Sequence, residues 1–294
     1  MSRGPYEGGP AASTIVNAGR VLNRGFEVEL SWRDQIGDFS YGISANAGWL
    51  KNKVTYLDPL AGRLQGRKPQ GTDVYTAFEE GYPVWYLRGF QAEGINADGQ
   101  VVYTQFDADG NKKGTTVSPD PSTDLTYIGK AIPDLTYGLT INMAWKNFDL
   151  TIFGNGVAGN NLLPTAFRVD RPSCNTYAYY WKNSWKKAGD EATAKFPGAK
   201  NWTQQAFSSS LTVFKGDYFK IKTIQLGYTL PKNVTKAINV SSLRIYAMLD
   251  NFFTFSNYIG LDPETAIGTG NALGLDMGNY PTAKSVIFGL NLEF

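Results

Sequence analysis

The last eleven residues, Lys284-Ser285-Val286-Ile287-Phe288-Gly289-Leu290-Asn291-Leu292-Glu293-Phe294, constrain this chain most. Strand side chains alternate between two faces. Val286, Phe288, Leu290, Leu292 and Phe294 therefore share one face, and Ser285, Ile287, Gly289, Asn291 and Glu293 share the other. The first face is wholly apolar, and the second is polar or small apart from Ile287. Alone, a half-buried strand of a water-soluble protein gives the same pattern.

Six upstream segments repeat it. In 25–33 the apolar face is Phe26, Val28, Leu30 and Trp32, and in 39–49 it is Phe39, Tyr41, Ile43, Ala45, Ala47 and Trp49. Segment 136–145 places Tyr137, Leu139, Ile141, Met143 and Trp145 together, and 148–155 does so with Phe148, Leu150 and Ile152. Segments 223–230 and 242–250 contribute Ile224, Leu226, Tyr228 and Leu230, then Leu243, Ile245, Ala247 and Leu249. None of the seven apolar faces carries a charge. An Arg or Lys facing lipid costs roughly 2–4 kcal/mol near the bilayer midplane. The opposite faces do carry charges, at Glu27, Glu29, Arg33, Asp149, Arg244, Asp250 and Glu293.

Connection lengths separate a membrane barrel from a soluble sandwich. Short connections (34–38, 146–147, 231–241) alternate with long ones (59–135, 159–217, 256–282). Outer-membrane barrels have short periplasmic turns and long extracellular loops, whereas compact soluble domains rarely need several such loops. The alternation orients the strands. Trp32, Phe39, Tyr41, Trp145, Phe148, Tyr228 and Phe294 then fall near the periplasmic ends, and Trp49 and Tyr137 near the outer rim, as interfacial aromatics do. The fold expected is all-β: an antiparallel transmembrane β-barrel fragment of about seven membrane strands with long extracellular loops, an incomplete barrel. The β-rich stretch 82–106 is expected as a hairpin above the membrane. An odd count leaves open edges in lipid, so missing strands must complete the barrel.

Composition limits the chemistry. Only 18% of residues are charged and 14% are aromatic, with a net charge of +2, which gives no basic footprint for nucleic acid. Histidine is absent and Cys174 is the single cysteine. Imidazole catalysis, an internal disulfide and a Cys cluster for zinc are excluded. No G-x-S-x-G elbow appears, no enzyme is expected and no cofactor is implied. No signal peptide opens the chain, so it reads as a piece of a longer protein. Residues 1–13 are expected to be a disordered segment, and 14–294 the C-terminal part of a β-barrel.

An ordered series of short segments carries a family resemblance: Asn23-Arg24-Gly25-Phe26-Glu27-Val28-Glu29-Leu30, Gly81-Tyr82-Pro83, Ile128–Gly138, Trp145–Leu150, Asp217–Lys222, Gln225–Pro231, Asp250–Thr254, Gly260-Leu261-Asp262-Pro263-Glu264 and Tyr280-Pro281. The chain resembles the C-terminal portion of SusC/RagA-type TonB-dependent outer-membrane transporters of Bacteroidota. The resemblance implies a large plugged barrel that imports oligosaccharides or peptides. It implies a SusD-like surface lipoprotein as lid, and energy from the TonB complex through the missing N-terminal part. An outer-membrane barrel displaying loops for binding or adhesion is the alternative.

Within that frame, Gly289-x-x-Leu292-x-Phe294 resembles the C-terminal signal read by the barrel-assembly machinery, with Ile287 departing from the usual polar residue. Trp85, Tyr86, Tyr179, Tyr180, Trp181, Trp185 and Trp202 lie in the long loops. They either pack among themselves or meet substrate or lid; Trp85, Tyr86, Tyr180, Trp181, Trp185 and Trp202 are the candidate contacts. Tyr177–Lys187 is expected to contain a short helix. Asp107-Ala108-Asp109-Gly110-Asn111 looks like the start of a calcium loop but lacks its later glutamate, and Asp-Gly reads as a hairpin turn. The charged residues of the polar faces are expected to pair with the plug and lumen.

Overall fold

The computed structural model describes residues 17–294 except Pro172 and Ile238, together with the paired backbones of Ser2–Arg3 and Thr14–Ile15. The expected disordered segment 1–13 lies outside the described residues but for Ser2–Arg3.

Seven long strands form one antiparallel meander in which every neighbour in sequence is a neighbour in space. They are β1 (Gly19–Ile36), β2 (Phe39–Leu57), β3 (Leu135–Trp145), β4 (Phe148–Ala158), β5 (Tyr218–Thr229), β6 (Ser242–Ser256) and β7 (Ser285–Glu293). The sheet is open, with β1 and β7 as its edges. No described helix is long and apolar enough to cross a membrane.

The register aligns the apolar faces into rows. Trp32, Ile43, Ile141, Ile152, Ile224, Leu249 and Val286 are successive partners across all seven strands. Toward the short turns runs a second row, Ile36, Phe39, Trp145, Phe148, Tyr228, Ile245 and Leu290. Near the opposite rim Tyr137 stacks on Phe219 with ring centroids 5.8 Å apart, and Trp49 on Phe26 at 4.7 Å. Eight residue steps separate Tyr137 from Trp145. At about 3.3 Å per step and a tilt of ~40° they span roughly 20 Å of height, close to the ~25 Å apolar band of membrane barrels. These faces are bare: Leu30, Phe288 and Leu290 are 69%, 79% and 65% exposed.

The 146–147 connection is as short as expected and the 34–38 connection is tighter. Gly37-Asp38 and Lys146-Asn147 are two-residue turns, with Gly37 and Lys146 at φ +59° and +53°. The 231–241 connection carries the helix Lys232–Ala237. β1 and β2 also run beyond the alternating stretch, pairing Gly19–Arg24 with Lys51–Leu57. The ladder continues there because backbone pairing does not require apolar side chains; Arg20, Arg24, Lys51 and Lys53 mark the departure from lipid-compatible sequence.

The three long loops build a canopy at the other end, and the buried core lies there. Val74, Leu87 and Ile128 of the first loop pack with Leu163 and Phe207 of the second and Leu275 of the third. Backbone hydrogen bonds interlock the loops: Phe90 N donates to Ser208 O (2.9 Å), Leu163 N to Gly274 O (2.7 Å) and Arg67 N to Asn271 O (3.0 Å). The expected 82–106 hairpin is present only as Ala92–Ile95 against Val101–Phe106, and its first expected strand, around 83–87, pairs elsewhere. Tyr86–Phe90 pairs with Leu125–Gly129 and Tyr75–Phe78 in a four-stranded sheet, while Val101–Phe106 pairs with Ala92–Ile95 and Lys112–Thr116 in a three-stranded one. Local alternation did not reveal partners some 40 residues away. Asp107–Asn111 is a turn, as expected: Asp107 Oδ1 accepts from the amides of Asp109 (3.0 Å) and Asn111 (2.9 Å), and Gly110 has φ +81°.

Candidate functional site

The polar face of the wall and the underside of the canopy meet at Lys220. Between β4 and β5, Ile221 faces Gly154 and Thr223 faces Phe153, so Lys222 is the extra residue of a bulge. The bulge re-aims the strand, and both Lys220 and Lys222 reach the third loop. Lys220 Nζ lies 2.8 Å from Asp262 Oδ2, 2.7 Å from Glu264 Oε2 and 2.9 Å from Thr282 Oγ1. Lys222 Nζ lies 2.7 Å from Glu264 Oε2. Asp262 also accepts from the backbone amides of Glu264 and Thr282, both at 3.0 Å. Lys220 is 2% exposed, and a buried charge needs such partners. Burial alone would raise both carboxyls. Hydrogen bonds from Lys220, with Thr282 at Asp262 and Lys222 at Glu264, outweigh it and hold both below the usual carboxylate range. The cluster latches the third loop to the wall. It unites the segments Asp217–Lys222, Gly260–Glu264 and the residues around Tyr280-Pro281, distant in sequence.

Lower on the polar face a second network crosses four strands. Arg244 on β6 spans β5 to reach Asp149 on β4, with Nε 2.9 Å from Oδ1 and a second bond from Nη2. Its path runs over Gly227, where a Cβ would collide with both side chains. The guanidinium also lies 5.1 Å from the Tyr246 ring centroid, and that ring covers Gly289 on β7. Of the other charged residues on this face, Asp250 meets Thr223 Oγ1 at 3.4 Å. Among the described residues Glu27, Glu29, Arg33 and Glu293 make no ion pair.

At the last strand, Gly289 lies under Tyr246, Leu292 pairs with Leu243 on the apolar face, and Phe294 projects past the final pair, Glu293 with Ser242. The six candidate aromatics separate. Tyr86 and Tyr180 are buried. Tyr180 meets Trp202 edge-on at 5.4 Å, and Trp202 stacks on Phe196 at 5.9 Å. Trp185 packs on the cluster of Phe90, Val101 and Tyr103. Trp85 is half-buried, 5.4 Å from Phe78. Trp181, in the expected helix (Ala178–Lys182), is exposed, with Lys186 Nζ 3.4 Å from its ring centroid. The latch carboxylates were visible in the sequence only as parts of motifs; nothing local signals their partners.

Among the described residues no group of three or more acidic or Cys side chains stands ready for a metal. No protein-family model matches the chain. The chain is similar to TonB-dependent receptor P3 of Formosa agariphila, at 26% identity over 96% of this chain and 30% of the relative. It is also similar to TonB-dependent receptor SusC of Bacteroides thetaiotaomicron, at 27% identity over 96% of this chain and 27% of the relative. The chain thus spans about a third of the length of the relatives it matches. They are named as receptors, not enzymes. Among solved structures it superposes on the RagAB peptide transporter with a TM-score of 0.75 and 23% identity, over 96% of this chain and 30% of that one. The "open-open" RagAB importer gives 0.74 at 20% identity, over 97% of this chain and 29% of that one. At such identities the superposition speaks for the fold.

Proposed function

We propose that this chain, the C-terminal barrel portion of a SusC/RagA-type TonB-dependent receptor, serves nutrient import across the outer membrane. The observation that carries the reading is the pairing of an uncharged, bare outward face with a polar inward face and an interlocked canopy latched above it. A sheet of that kind suits a lipid boundary outside and an aqueous, plugged lumen inside. The imported nutrients are oligosaccharides or short peptides. A SusD-like lipoprotein seats on the canopy, and TonB supplies energy through parts of the longer protein. In this scheme Gly289, Leu292 and Phe294 form the strand read by the barrel-assembly machinery. Of the six candidate aromatics, Trp181 is the one exposed to substrate or lid.

Uptake of labelled oligosaccharides and peptides by cells with and without the full-length gene tests this, with and without a protonophore. Uptake that needs both the gene and the proton gradient is expected. Uptake indifferent to both would overturn the reading.

A further inference from the structure

Where the three loops meet, a cavity of about 590 Å³ opens among Arg67, Gln70, Arg168, Arg171, Leu275 and Met277. Its size falls within the range of small-molecule sites, roughly 300–1,000 Å³. The first loop contributes Arg67 and Gln70, the second Arg168 and Arg171, and the third Leu275 and Met277. Among the described residues no acidic side chain lines it.

The three guanidinium groups differ in role. Arg168 is buried and forks onto Asp170. Its remaining donors hold the carbonyls of Gln70 (3.0 Å) and Gly71 (3.1 Å), and it stacks 4.0 Å above the Phe207 ring. Arg168 is thus neutralised and fixes the first loop against the second. Arg171 and Arg67 are exposed at the cavity, and among the described residues neither makes an ion pair. Arg171 is nonetheless held: Nη2 reaches Gln70 O at 3.4 Å and lies over Gly71, where a Cβ would strike it. Gly71 has φ +61°, so a side chain there is disfavoured twice.

Two unneutralised guanidiniums on one rim, with Leu275, Met277 and Ala166 alongside, match a carboxylate next to an apolar group. Arg recognises carboxylates through paired, charge-assisted hydrogen bonds. We infer that this three-loop cavity binds a carboxylate of the imported substrate, with Arg67 and Arg171 as its ligands, and that the substrate is a short peptide with a free C-terminus. The inference rests on the import reading and narrows it to one substrate chemistry.

The test uses the full-length receptor purified in detergent. Two probes are titrated: a fluorescent hydrophobic hexapeptide with a free C-terminal carboxylate, and the same peptide amidated. Wild type should bind the free acid at least about tenfold more tightly. Arg67→Gln/Arg171→Gln should abolish that preference, with unchanged binding of the amide and an unchanged heat-induced gel shift. Gly71→Ala, which displaces Arg171 without removing it, should lower the preference in part. Equal binding of the two probes by wild type, or a preference untouched in the double variant, overturns the carboxylate site and leaves import standing. If neither probe binds, the carboxylate site falls; the import reading falls with it only if the cells also take up neither peptide nor oligosaccharide.

Discussion

The wall and the canopy use the same amino acids in opposite ways. Along β7 and β1 the large apolar side chains are bare, and Phe288 is 79% exposed. In the canopy Tyr86, Phe90, Phe207 and Leu163 are wholly buried. The wall is held chiefly by continuous backbone ladders and leaves its apolar surface for lipid, as a bilayer demands of any spanning strand. The canopy is held by side-chain burial away from water. One chain is thus folded for two solvents, and the join is the Lys220 latch, where a buried ammonium meets two carboxylates. Its removal should discriminate most sharply between the two halves. Lys220→Met leaves Asp262 in a buried site without its counter-charge, a loss of roughly 3–5 kcal/mol for a broken buried pair. Limited proteolysis of the full-length receptor should show new cleavage within 256–282, with the strands still resistant. Uniform loss of resistance would mean that wall and canopy are one cooperative unit.

A charge on the outward face tests the wall from the other side. Ile141→Arg places a cation in the central row of seven apolar partners, at roughly 2–4 kcal/mol near the midplane. Asn142→Arg, one residue on, turns the same charge to the polar face and should cost far less. Denaturant unfolding of both variants in lipid vesicles measures the difference. Equal destabilisation would refute the assignment of faces.

How legible each half was in the sequence follows from the same contrast. The wall is written locally: period-two alternation and an uncharged face are visible within ten residues, so seven strands and their directions could be read directly. The Lys146-Asn147 turn was read directly, but the Gly37-Asp38 turn was less visible, because β1 continues through Asp34 and Gln35 to Ile36 after the apolar pattern has weakened. The canopy is written in distant pairs. Asp73 N bonds Ser208 Oγ at 2.8 Å, 135 positions away, and Arg168 holds Gln70 and Gly71 nearly a hundred residues back. Its strands are only two to six residues long and carry no clean period. The latch was half-legible, since its residues stood within recognisable segments. The bulge at Lys222 shifts the alternation: strict period two carried back from Ile224 would set Lys220 and Lys222 on the apolar face, where neither charge belongs.

Gly227→Ala perturbs the wall's polar side. The new methyl would press on Arg244 and Asp149 where they cross the strand, and overpacking of this kind costs about 1–3 kcal/mol. Unfolding of the receptor should shift accordingly, with the canopy's proteolytic pattern intact.

Acid should act on the join. Asp262 and Glu264 titrate below the usual carboxylate range in the folded protein. Groups so depressed contribute stability fully above their ordinary values near ~4, and that contribution is lost as pH falls through the folded values. Hydrogen exchange in 256–282, corrected for its intrinsic pH dependence, should accelerate below about pH 4 before exchange in β2–β4 does. Simultaneous acceleration in both would remove the latch as the acid-sensitive element.

The smallest stability effect concerns Trp181, an exposed aromatic of the canopy. On the wall an exposed aromatic faces lipid and its loss should weaken anchoring. On the canopy Trp181 is 61% exposed, with the Lys186 ammonium over its ring, so Trp181→Ala should change stability by no more than about 0.5 kcal/mol, as exposed substitutions do. An indole whose removal leaves the fold intact is free to serve contacts outside it. Loss of lid-lipoprotein or substrate binding in Trp181→Ala, at unchanged unfolding midpoint, would assign that role. A shifted midpoint with unchanged binding would instead return Trp181 to the loop's own packing, beside Tyr180 and Trp202.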